Sequence, residues 1–94
     1  MARTFTVKDI LKNIEIIEEC DPETFHALGW VWSYIFSMAD ALEDERLYEL
    51  ADEINRIYLH LFDLGPELED VLEEIKKEIK KYPPRKKFVL KYLK

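Results

Sequence analysis

The sequence of 94 residues contains few of the residues that make tight turns or covalent cross-links: two glycines, four prolines and one cysteine. So few turn-forming residues cannot supply the many tight turns of a β-sandwich or a β-barrel. A single cysteine excludes an internal disulfide framework and a cysteine-rich zinc site. Glutamine is absent and asparagine occurs only twice, whereas Glu and Lys are abundant. This composition is typical of proteins from hyperthermophiles.

Long apolar runs are also missing. The first ten residues, MARTFTVKDI, lack the apolar stretch of a signal peptide. The longest stretch without a formal charge runs from Thr24 to Ala39, and as a helix it would extend about 24 Å, against roughly 30 Å of bilayer hydrocarbon. Because 48% of the residues are hydrophobic, the chain is too apolar to be disordered. We therefore expect one folded domain, located in the cytoplasm and outside the membrane.

Charge is divided unevenly along the chain. Residues 1–75 hold 5 basic and 19 acidic side chains, a net charge of −14. Residues 76–94 hold 9 basic and 1 acidic side chains, a net charge of +8, and the whole chain has a net charge of −6. Such a difference between the body and the end of a chain predicts an interaction segment at the basic end.

Apolar residues recur at helical spacing in four segments. The spacing predicts helices over about residues 6–20, 22–42, 44–64 and 66–82. Thr6 and Asp9 have the spacing of a capping box at the start of the first helix. Short connections between four helices predict an all-α fold, a compact up-and-down bundle. We assign residues 1–84 to this bundle and residues 85–94 to a basic-aromatic extension of the same domain. This extension is a short helix, a strand or an extended arm, and of these we predict a weak helix.

The second predicted helix carries more apolar residues than one face of a bundle helix needs. A helix that is apolar on nearly every side must be surrounded by its own chain or by another copy. A bundle of fewer than about 100 residues buries only some 60 to 65% of its unfolded surface. We therefore predict self-association, most often as a twofold dimer. The residues predicted to mediate it are Trp30, Val31, Tyr34 and Met38.

Basic and aromatic side chains alternate in the last ten residues. The candidates for an interaction here are Arg85, Lys86, Lys87, Phe88, Lys91 and Tyr92. Three interpretations remain open. The segment packs Phe88, Leu90 or Leu93 on the bundle, it docks onto the acidic body of a partner, or it binds single-stranded nucleic acid with cations on phosphates and aromatic rings on bases. The net negative charge of the protein opposes the third interpretation.

Two pairs that contain histidine have the spacing of functional motifs. Glu23 and His26 are spaced like ligands of a di-metal carboxylate bundle, but such a site needs two of these pairs and two further glutamates. Arg56 and His60 are similar to the Arg-(x)n-His motif of the HEPN nuclease bundles, in which these two residues together cleave RNA. That family spaces the two residues further apart and places a polar residue after the arginine. We therefore interpret both histidines as structural and Arg56 as an ion-pair partner of Asp52. A metal shared across a dimer axis is the remaining alternative for Glu23 and His26.

Acidic residues gather around the predicted turn between the second and third helices. They are Asp40, Glu43, Asp44, Glu45, Glu49, Asp52 and Glu53. The segment lacks the alternating ligands and the central glycine of an EF-hand loop, so it is either a solvated face or a docking surface for a basic partner. Cys20 has acidic neighbours on both sides, which do not activate a thiol.

These patterns favour a binding protein over an enzyme. We expect no catalytic residue, no metal and no cofactor. The function that the sequence favours is a small helical interaction module that self-associates and docks onto a larger assembly. The alternative is a nucleic-acid-binding accessory protein that acts through residues 85–94.

Overall fold

The computed structural model of the protein describes residues 3–19, 24–59 and 66–91. It confirms the predicted all-α bundle. The four helices are α1 (Val7–Glu18), α2 (Thr24–Leu42), α3 (Glu45–Leu59) and α4 (Pro66–Ile79). Two short strands, β1 (Thr4–Phe5) and β2 (Phe88–Val89), pair antiparallel. The predictions made for Cys20, Glu23, His60, Tyr92 and Leu93 lie outside the described residues.

Each described helix buries an apolar face, as its spacing predicts. The buried residues of α1 are Val7, Ile10, Ile14 and Ile17. Those of α3 are Leu47, Leu50, Ala51, Ile54 and Ile57, and those of α4 are Leu68, Val71, Leu72, Ile75 and Ile79. Together with the buried face of α2 they form one core. Full burial of one aliphatic side chain contributes about 1.5 to 3 kcal/mol, so this core is the main source of stability.

Local polar contacts fix the helix ends. At the start of α1, the Thr6 amide donates to the Asp9 carboxylate at 2.8 Å, the contact that the predicted capping box requires. At the end of α2, Glu43 has a φ of 53°, in the left-handed region, and the Asp44 amide donates back into the last turn of the helix. The Asp44 carboxylate then accepts the Arg46 amide at 2.9 Å and caps α3.

The C-terminal arm, residues 85–91, contains a strand, so the predicted short helix is wrong. β2 pairs Phe88 with Phe5, and the Leu90 amide donates to a backbone carbonyl beside β1 at 2.7 Å. Phe88 and Leu90 are buried, whereas Val89 between them is exposed. This alternation with a period of two is the pattern of a strand with one buried face. The side chains of Phe88 and Leu90 therefore belong to the core.

α2 is the central element of the bundle. It packs against α1 and α3 along its two flanks, and β2 lies against it as well. None of the four helices, over the residues described, has the length and hydropathy of a transmembrane span. Contacts within one chain thus partly explain the apolar surplus of α2.

Candidate interaction surfaces

Two of the residues predicted to mediate self-association lie in the core. Val31 and Met38 are fully buried within a single protomer. α1 and α3 pack along both flanks of α2, and Val31 and Met38 belong to the core that these helices share, so the two side chains reach no surface. The structure therefore removes Val31 and Met38 from the candidate contact surface.

The other two residues, Trp30 and Tyr34, lie beside the first residues of the described chain. Their rings stack with 5.6 Å between centroids, and Tyr34 also contacts Phe5 at 4.7 Å. The Arg3 guanidinium lies 4.6 Å from the centre of a Trp30 ring, a cation–π contact. Burial, followed by the charge of Asp9, raises the pKa of the Tyr34 hydroxyl above its ordinary value. Trp30 and Tyr34 are thus partly exposed, but the protein's own chain already packs on them.

The C-terminal arm is attached to α2 by polar contacts. The Lys91 amide donates to the hydroxyl of the buried Ser37 at 3.0 Å. The Lys91 ammonium donates to the Asp40 carboxylate at 2.6 Å, and the Tyr48 hydroxyl donates to the same carboxylate at 2.9 Å. The hydrogen bond from Lys91, followed by that from Tyr48, lowers the pKa of Asp40 below its ordinary value. The structure therefore supports the first of the three interpretations of the arm, in which it packs on the bundle.

Phe88 is part of the core and not of an exposed binding surface. It is 5% exposed, its ring stacks on Phe5 with 5.7 Å between centroids, and the Lys86 ammonium lies 5.4 Å from its centre. A ring held in this way has no face available to stack on a nucleic-acid base. In the described part of the arm, Arg85, Lys86 and Lys87 are exposed cations without an exposed aromatic ring beside them. The nucleic-acid alternative stays a prediction that depends on these cations.

The histidine pairs form no site within the described residues. His26 is exposed, and its ring lies edge-on to that of Phe25 at 6.0 Å. Arg56 is exposed, and neither a hydrogen bond nor an ion pair between described residues joins it to Asp52, so the predicted Asp52–Arg56 ion pair is not formed. In the described ranges, no group of three His, Cys, Asp or Glu side chains is arranged to hold a metal ion.

A row of aromatic side chains follows the junction of α2 and α3. Phe25 contacts Tyr58 with 4.7 Å between centroids, at one end of the two helices. Towards the other end, Phe36 contacts Trp32 at 5.5 Å and Tyr48 at 5.7 Å. From residue 25 to residue 36 the row extends about 16 Å at the helical rise of 1.5 Å per residue. These five residues form what we call the aromatic surface.

The aromatic surface is partly open to solvent. Phe25 is 43% exposed, and Leu59, which directly follows Tyr58 on α3, is 67% exposed. Trp32, Phe36, Tyr48 and Tyr58 are partly exposed. Among the described residues, the large apolar side chains classed as exposed are Phe25, Leu59 and Val89, and two of these three lie at the same end of the aromatic surface. Phe25 and Leu59 therefore place exposed apolar surface at this end.

Acidic side chains border the aromatic surface along α3. Glu45 and Asp52 lie three residues before and four residues after Tyr48, so both are its neighbours on the helix surface. Both carboxylates are exposed. Glu49, one turn after Glu45, is also exposed and forms an ion pair with Arg46 at 3.1 Å. The arrangement is an apolar strip with a negatively charged edge, which matches a partner that carries both apolar groups and positive charge.

The aromatic surface could have been predicted from the sequence by comparing the aromatic residues of two consecutive helices. Phe25, Trp32 and Phe36 are spaced by seven and four residues, which places them on one side of α2. Tyr48 and Tyr58 follow on the next helix, which runs antiparallel to α2. Two aromatic rows on consecutive antiparallel helices predict a shared strip, whereas periodicity within α2 alone does not show which neighbour covers each side.

A comparison of the chain with protein-family models finds no matching family, and comparisons with curated proteins and with solved structures find no match either. The candidate site is therefore defined by its geometry and charge. Its parts are the aromatic surface, the exposed Phe25 and Leu59 at one end, and the acidic border on α3.

Proposed function

We propose that this protein is a non-enzymatic interaction module of the cytoplasm that self-associates, as a dimer, and docks onto a larger assembly. The contact that we assign to it is the aromatic surface, in place of the Val31 and Met38 side of α2. The observation that carries the proposal is the pair of partly exposed aromatic groups between α2 and α3, Phe25 with Tyr58 at one end and Trp32, Phe36 and Tyr48 towards the other, together with the exposed Leu59. Aromatic residues are enriched at the centres of protein interfaces and depleted elsewhere on protein surfaces.

The dimensions of the aromatic surface support this role. A stable interface buries about 800 Å² on each partner, a patch that is wider than the row alone. The row, about 16 Å long at the helical rise, would form the apolar centre of such a patch. Exposed charged residues such as Glu45 and Asp52 would form its polar rim, which is the usual arrangement of an interface.

The proposal is tested by the oligomeric state of the wild-type chain and of a double variant, Phe25→Ser with Leu59→Ser. Leu59 is 67% exposed, and Phe25 is 43% exposed and packs on Tyr58, so circular dichroism must verify that the double variant keeps the fold. We expect sedimentation velocity to show a dimer for the wild-type chain at about 100 µM and at least a tenfold weaker association for the double variant.

The matched control is Val89→Ser, which removes an apolar side chain of similar exposure, 47%, from strand β2. This variant should associate like the wild-type chain. A wild-type chain that remains an 11.3 kDa monomer under these conditions contradicts the proposed self-association. Equal weakening by the control and by the double variant contradicts the assignment to the aromatic surface.

A further inference from the structure

The acidic border makes it unfavourable for two aromatic surfaces to face each other directly. Glu45 and Asp52 of one copy would approach the same two exposed carboxylates of the other, whereas Glu49 is already paired with Arg46 at 3.1 Å. Like charges brought together at an interface repel each other and select against the pairing. A better partner for the aromatic surface combines apolar groups with positive charge.

The protein itself carries a segment of this chemistry, which we call the basic turn, residues 80–87. Its sequence is KKYPPRKK, with five basic residues and no acidic one. Within it the Lys86 amide donates to the Pro83 carbonyl at 3.1 Å, which closes a turn, and Pro83, Pro84, Arg85 and Lys86 are all exposed. The two prolines have fixed φ angles, so the turn loses little conformational freedom when it binds.

We infer that the aromatic surface of one copy receives the basic turn of a second copy. This inference rests on the proposed function, because it names the partner of the same surface. Proline rings pack on aromatic side chains in many peptide-binding grooves, and an arginine guanidinium packs on aromatic faces. In the contact, Pro83 and Pro84 lie on the aromatic row while Arg85 and Lys86 approach the acidic border. A twofold dimer carries this contact twice, once in each direction.

Charge-reversal variants of the full chain distinguish this contact from a like-on-like contact. The first variant carries Glu45→Lys and Asp52→Lys in the acidic border. The second carries Arg85→Glu and Lys86→Glu in the basic turn. Each variant alone places like charges on both sides of the contact, whereas a mixture of the two restores opposite charges in both directions. The matched control, Lys8→Glu with Lys12→Glu, reverses two exposed charges on α1.

We expect each variant alone to associate at least tenfold more weakly than the wild-type chain in sedimentation velocity, and an equimolar mixture to recover wild-type affinity. The control should behave like the wild-type chain. Association of the wild-type chain should also weaken between about 0.05 and 0.5 M salt, because screening reduces the attraction between opposite charges.

Two results overturn the inference while the proposed function stands. One is a basic-turn variant that associates as tightly as the wild-type chain. The other is a mixture no tighter than its separate components. A wild-type chain that is monomeric throughout removes the proposed function together with the inference, so the two failures are distinguishable.

Discussion

Replacing Phe88 with alanine tests whether the C-terminal arm is an integral part of the fold. The choice of the interaction surface depends on this point, because the arm and the residues around Phe5 pack beside Trp30 and Tyr34, whereas the aromatic surface between α2 and α3 stays partly exposed. The ring of Phe88 is 5% exposed and stacks on Phe5, so the substitution removes a buried aromatic contact between the two ends of the described chain.

The expected effect follows from the area of the ring. An aromatic side chain buries 150 to 250 Å², which at about 25 cal/mol per Å² gives an upper estimate of roughly 4 to 6 kcal/mol. Alanine retains its Cβ and the unfolded chain already buries part of the ring, so we expect Phe88→Ala to lower the free energy of unfolding by about 3 kcal/mol. Phe5→Ala should have a similar effect, and the two changes should be coupled by about 0.5 to 1.5 kcal/mol because the rings touch.

Urea unfolding followed by circular dichroism measures these free energies for the wild-type chain, both single variants and the double variant. Val89→Ala is the control, since its exposed side chain should change the free energy of unfolding by no more than about 0.5 kcal/mol. A loss for Phe88→Ala as small as that of the control would refute the reasoning. The arm would then contribute nothing to the fold, and the Trp30 side of α2 would again be a candidate surface.

Three further predictions concern the polar contacts near the turn between α2 and α3. Because the pKa of Asp40 is lowered in the folded chain, its contribution to stability is present above the pKa of the unfolded state and is lost as the pH falls through the folded-state pKa. The hydrogen-exchange protection factor of the Lys91 amide should therefore decrease in acid, and Asp40→Asn should show the lower protection at neutral pH as well. Asp44→Ala, which removes the cap of α3, should cost about 1 kcal/mol in urea unfolding, whereas Asp52→Ala on the exposed face should cost less than half of that. Glu43→Gly should raise the free energy of unfolding by up to about 1 kcal/mol, because a glycine adopts the left-handed conformation at this position without a steric penalty.

The helices were predictable because each has an apolar face with regular spacing, and burial of Ile10, Leu50 and Ile75 follows directly from that spacing. The strand pair was not predictable in the same way. Two residues such as Phe88 and Val89 are too few to show a period, and their partners lie at the opposite end of the sequence. Neighbouring charges in the arm made this segment resemble a solvent-exposed tail, although its apolar residues were correctly predicted as candidates for packing.

The candidate site was only partly predictable for a related reason. Val31 and Tyr34 are three residues apart and lie on the same side of α2. Their spacing does not show that the fold buries Val31 and leaves Tyr34 partly exposed. The side on which α2 meets α3 combines partly exposed aromatic rings with exposed carboxylates, and that combination arises from two helices at once. The sequence alone predicts a possible docking surface from the acidic residues near the turn. Only the folded chain shows that some of them lie beside Tyr48.

The pairing of β1 with β2 has a consequence for the order in which the protein folds. The two strands are separated by about 80 residues, and closing so long a loop in an unfolded chain is entropically costly. Once the helices have assembled, the strands are already near each other and this cost has largely disappeared. The sheet should therefore form last, and during synthesis the Trp30 side of α2 would stay uncovered until β2 has been translated.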